Sequence, residues 1–142
     1  MGESIFAGFI LSELTSPSFG LIFSGASGRQ FVLNTNGIIT GTDASDHISG
    51  QFAGVLKLDD DTPGSIIEII ADSIVVVGGL TVNQVLCKYH DSPQTQCDVS
   101  PLVHSDSQAS ASIFIGIDVT TNKIHSGGDM ATVDFNINVT YQ

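Results

Sequence analysis

The chain of 142 residues has no tryptophan, two cysteines, four prolines and four strong cations against fifteen acids. Each scarcity excludes something. At a formal net charge of −11 a phosphate backbone is repelled rather than gathered, so no nucleic acid is expected as a partner. Anionic lipid is disfavoured for the same reason, and no apolar run approaches the roughly 20 residues that span a bilayer, so the chain is not expected to be membrane-embedded. Helix formers are sparse, and no window of 11 to 18 residues keeps apolar positions at i, i+3, i+4 and i+7 between caps. Met1-Gly2-Glu3-Ser4 carries an acid where a signal peptide has its basic region, and the apolar run from Ile5 to Leu11 is short, as in a mature or recombinant chain.

What remains is strand chemistry. Ile, Val, Thr and Phe are plentiful, glycines punctuate them, and two-residue alternation recurs along the chain. A chain of this length fits one domain, burying roughly 70% of the surface it exposes when unfolded. About nine or ten short strands predict an all-β, antiparallel two-sheet sandwich.

Residues 3–14 are expected to form an extended segment that is apolar on both faces, with Ile5, Ala7, Phe9 and Leu11 on one and Phe6, Gly8 and Ile10 on the other. Asn36-Gly37 predicts a tight turn between strands at 29–34 and 38–42, because both residues tolerate positive φ. Residues 48–58 are expected to form one bulged strand, 65–70 and 73–77 two strands either side of Ala71-Asp72, and 100–109 a surface loop. Cys87 and Cys97 flank Asp91-Ser92-Pro93, which predicts a reversal that brings them face to face as a disulfide in an oxidising compartment. Free thiols or half of a zinc site are the alternatives, but His90 does not complete a zinc set.

No catalytic, cofactor or metal constellation stands out. His47, His90, His104 and His125 have no pair at ligand spacing, and no Gly-x-Ser-x-Gly elbow occurs. Asp43-Ala44-Ser45-Asp46 and Asp59-Asp60-Asp61 lack EF-hand spacing and are expected as solvated acidic turns. Asn138-Val139-Thr140 is a glycosylation sequon by pattern, expected to be unmodified on an alternating strand.

The cleanest alternation is the last: Val133, Phe135, Ile137, Val139 and Tyr141 face inward, and Thr132, Asp134, Asn136, Asn138, Thr140 and Gln142 outward. Preceded by Gly127-Gly128 and ending Tyr141-Gln142, this segment resembles the closing strand of bacterial chaperone–usher pilins. Ser18-Phe19-Gly20-Leu21-Ile22, the glycine-rich turn at 25–28 and the hairpin at 31–37 resemble a related group of secreted pilin-like domains. A disulfide in the second half departs from many pilins of the main branch, which place theirs near the N-terminus.

The resemblance implies an immunoglobulin-like sandwich (residues 15–142) lacking one strand, with residues 1–14 as a candidate donor segment. Ile5, Ala7, Phe9 and Leu11 would fill a neighbour's groove beside the acceptor strand carrying Val133, Phe135, Ile137, Val139 and Tyr141. The implied role is a structural, non-enzymatic subunit of a secreted surface fibre, assembled from identical subunits by a periplasmic chaperone and an outer-membrane usher. The competing arrangement folds residues 4–14 back into their own domain. The alternatives are a monomeric adhesin or carbohydrate-binding module, for which Tyr89 is the expected exposed aromatic, and a phage or viral decoration protein, which predicts reduced cysteines.

Overall fold

The computed structural model describes residues 4–6, 8–18, 21–22, 27–41, 43, 47–49, 51, 53–122 and 132–142. Thirteen strands lie among them: β1 (Ser4–Phe6), β2 (Phe9–Thr15), β3 (Leu21–Ile22), β4 (Gln30–Leu33), β5 (Ile39–Thr40), β6 (His47–Ser49), β7 (Gly54–Asp60), β8 (Ile67–Val77), β9 (Leu80–Tyr89), β10 (Thr95–Gln96), β11 (Leu102–His104), β12 (Ser110–Thr121) and β13 (Thr132–Tyr141). No helix occurs among the described residues, so none there is long and apolar enough to cross a membrane.

The larger sheet is organised on β12. One side of β12 pairs with β9. The other pairs first with β7 over residues 110–115 and then with β4 over residues 117–120. The handover falls at Gly116, where a Cβ would collide with the Leu33 carbonyl oxygen, so only glycine admits the incoming β4 backbone. Outside β7 lie β2 and then β1, and β10 extends β9. The smaller sheet has the order β11-β8-β13, and β3 pairs with β6 in a separate ladder; every pairing is antiparallel.

Leu56, Leu58, Val85, Ile113 and Ile115 from the larger sheet form one cluster with Ile67, Ile69, Phe135, Ile137 and Val139 from the smaller. Burying each such side chain contributes about 1.5–3 kcal/mol, so this shared interior is what holds the two layers of the sandwich together. Alternation explains the outer β13 well: Phe135, Ile137 and Val139 are buried while Asp134, Asn136 and Thr140 are exposed.

Two local expectations match the structure. Val32 and Leu33 pair with Thr40 and Ile39, and the turn closes with the Gly37 amide donating to the Asn34 carbonyl at 2.9 Å. Cys87 and Cys97 form a disulfide across the β9–β10 hairpin, their Cα atoms 5.7 Å apart. Such a bond fits an oxidising compartment.

Other expectations are corrected. Residues 3–14 are not one extended segment: Gly8 takes φ +82 and the chain reverses, setting Phe6 opposite Phe9. The stretches at 65–70 and 73–77 belong to a single β8, which continues because Ser73 adopts φ 54 and forms a bulge opposite Phe135 rather than a break. The expected strand at 48–58 is divided between β6 and β7. The presumed loop at 100–109 contributes β11, with Leu102 buried against β8. Asp59 and Asp60 close β7 instead of forming a solvated turn, and Asp60 is buried. Phe19, Gly20 and residues 25–26 and 127–128 lie outside the described residues.

Candidate functional site

The expected donor residues Phe9 and Leu11 and the expected acceptor strand β13 lie in different sheets. β2 lies in the larger sheet beside β7, with Leu11 opposite Leu58 and Phe9 opposite Asp60. Phe9 and Leu11 are each 2% exposed, so they complete the core of their own domain. Ile5 is the register partner of Ile10 in the β1–β2 hairpin and does not continue the Phe9–Leu11 strand; Ala7 lies outside the described residues. Within the one chain described, residues 4–6 and 8–14 fold back on the larger sheet as the β1–β2 hairpin.

β13 forms one border of the smaller sheet and pairs with β8 alone among the described residues. Val133 is half-buried, Phe135, Ile137 and Val139 are buried, and Tyr141 is 38% exposed. The Tyr141 ring leans across the sandwich onto Phe9, their centroids 4.2 Å apart.

The Tyr141 hydroxyl donates to Asp60 Oδ1 at 2.5 Å, Ser107 donates to Asp60 Oδ2 at 2.5 Å, and the Thr62 amide donates to Oδ1 at 2.9 Å. Burial opposes ionisation of Asp60, yet these three donors together outweigh it and hold the carboxyl below its ordinary range. Burial, followed by the bond to Asp60, pushes the Tyr141 phenol up. Gly8 sits beneath this group: a Cβ there would run into the Tyr141 hydroxyl, and the positive φ disfavours any other residue. This arrangement clamps the β1–β2 turn, β7 and β13 at one end of the sandwich.

β2 is less settled at its other end. Glu13 receives the Ser16 hydroxyl on Oε1 at 2.9 Å, while its Oε2 is buried with no partner among the described residues. The ladder to β7 also slips there, leaving Leu14 60% exposed. An unsatisfied carboxylate oxygen carries a desolvation cost, so β2 is docked at a penalty.

Other polar groups are structural in character. Asp118, buried on β12, accepts from Gln30, Asn83 and Gln84 side-chain amides at 3.0–3.1 Å. His104 lies 2.7 Å from Asp91, and this hydrogen bond holds the Asp91 carboxyl below its usual range. The His104 ring meets Tyr89 edge-on at 5.0 Å. Tyr89 itself is fully buried and accepts the Gln108 amide at 2.9 Å, so it is not the exposed aromatic expected from sequence.

A second feature escaped the sequence. The β4–β5 turn and the disulfide hairpin wall an open cleft of about 890 Å³ floored by the outer face of the larger sheet. Its residues come from four separate stretches, among them Asn34, Gln51, Val55, Lys88, Gln94 and Phe114.

No family model, curated protein or solved structure matches the chain.

Proposed function

We propose that the chain is a structural subunit of a bacterial surface fibre, polymerised by exchange of its first strands between identical copies. The immunoglobulin-like strand arrangement of pilins belongs to this proposal. So do secretion through the periplasm, assistance by a chaperone and an outer-membrane usher, and a non-enzymatic role in adhesion or biofilm formation.

The observation that carries the reading is the position of β2. It supplies Phe9 and Leu11 to the core, yet among the described residues it has only the three-residue β1 outside it in the sheet. A slot beside β7 that must be filled for the core to close accepts the same segment from a neighbour with the same contacts, which is the requirement for strand exchange. The buried oxygen of Glu13, without a partner among the described residues, favours release of the strand from its own chain. The disulfide supports an extracytoplasmic setting and counts against a decoration protein with reduced thiols.

The test is complementation. A chain beginning at residue 15 is expected to unfold readily alone and to regain a cooperative melt with a peptide of residues 4–15, while the full chain on prolonged incubation yields filaments with a one-domain repeat in negative stain. A truncated chain indifferent to the peptide, together with a full chain that stays monomeric, rejects the proposal.

A further inference from the structure

We infer that the cleft above the larger sheet is a binding site for a carboxylated sugar, independent of fibre assembly. Its floor is set by register. Lys88, Phe114 and Val55 are consecutive Cα partners across β9, β12 and β7, so they stand side by side on one face of the sheet. That face is the outer one, since Ile113 and Ile115 on either side of Phe114 are buried in the core. The floor therefore offers an aromatic ring and an aliphatic neighbour with a cation beside them.

The wall is prearranged. Gln94 Oε1 accepts from both the amide and the hydroxyl of Thr35 at 2.8 Å, and its Nε2 donates to Asn34 Oδ1 at 3.1 Å. Asn34 in turn donates to Thr40 Oγ1 at 2.8 Å. These bonds tie the β4–β5 turn to the hairpin closed by Cys87–Cys97, so the wall keeps its shape without a ligand.

The groups left over are mostly donors. Asn36 uses its Oδ1 to cap the Ile38 amide, and no partner among the described residues takes its side-chain N–H groups or either end of Gln51. Lys88 makes no ion pair among the described residues, although Arg29 and Lys57 pair with Asp43 and Asp59. No carboxylate lines the cleft among the described residues, in a chain with fifteen acids. A local concentration of unspent donors and one cation, over an apolar floor, suits a ligand rich in acceptor oxygens that carries one negative charge and a flat C–H face. A sugar acid has that chemistry. A polyphosphate or nucleic acid does not fit, because the net charge of −11 repels dense polyanions.

The experiment is an NMR titration of the full chain with sialyllactose and with cellobiouronic acid, which present the carboxylate from two different sugar sources, and with neutral lactose and cellobiose. Saturable shifts at the side-chain amides of Asn36, Gln51 and Gln94 are expected with at least one acid, bound about tenfold more tightly than its neutral counterpart. The preferred acid identifies the source. Lys88→Gln, with the spectrum away from the cleft unchanged, is expected to bring the acid down to the neutral level, and Lys88→Arg to restore most of the difference. Absence of saturable shifts at these amides overturns the inference, as does equal binding of acid and neutral sugars or unaltered acid binding by Lys88→Gln.

Discussion

The ring of Tyr141 lies stacked on that of Phe9, centroids 4.2 Å apart and planes 27° from parallel. One contact thus joins the outer strand of the smaller sheet to the first hairpin of the larger, and the stability of β2 in its slot depends on it. Phe9→Ala removes a 2%-exposed aromatic and this stack together; a loss of about 3–5 kcal/mol is expected in urea unfolding. Tyr141→Phe, which keeps the stack but removes the hydroxyl from Asp60, is expected to cost less than Tyr141→Ala in the same measurement.

Asp60 dictates the acid limb of stability. Its carboxyl is held below 3.8, so the folded state binds its proton less readily than the unfolded chain does. The stabilisation is therefore present above pH 3.8 and is lost as pH falls through the lowered value. At the alkaline end the sign reverses: the phenol of Tyr89 is raised above 10.0 by burial, so its contribution is complete below that pH and fades as pH rises through the raised value. Melting temperature against pH is expected to show both limbs, and Asp60→Asn to flatten the acid one.

The disulfide closes a sequence separation of 10 residues, for which the chain-entropy account gives about 2–3 kcal/mol. Replacing both Cys87 and Cys97 by Ala is expected to lower unfolding stability by about that amount. The same change is expected to increase amide exchange at Thr35, whose amide is bound by Gln94 from the disulfide hairpin.

The parts legible in sequence are those where local chemistry and tertiary packing agree. β13 is bordered by solvent on one face and core on the other, so Phe135, Ile137 and Val139 alternate cleanly with polar residues. The β4–β5 turn follows from Asn36-Gly37, and the disulfide hairpin from a reversal midway between two cysteines. The reversal at Gly8 was hidden because its flanks are apolar in every position, leaving no change of period to mark a turn. Ala71-Asp72-Ser73 has the composition of a break, and only Ser73 at φ 54 turns it into a bulge within β8. The cleft was invisible for a different reason. Lys88, Phe114 and Val55 become neighbours through the registers of three strands, and no spacing in the chain encodes that row.

The exchange of β2 between copies is tested most directly at Ser12 and Lys57, Cα partners across β2 and β7, with Ser12 half-buried and Lys57 exposed. Ser12→Cys and Lys57→Cys are placed in separate chains, mixed under assembly conditions and oxidised, with the double variant as the within-chain control. A disulfide joining the two chains, in species that grow into filaments, is the expected result. Closure only within the double variant, with no bond between chains after prolonged mixing, contradicts the account.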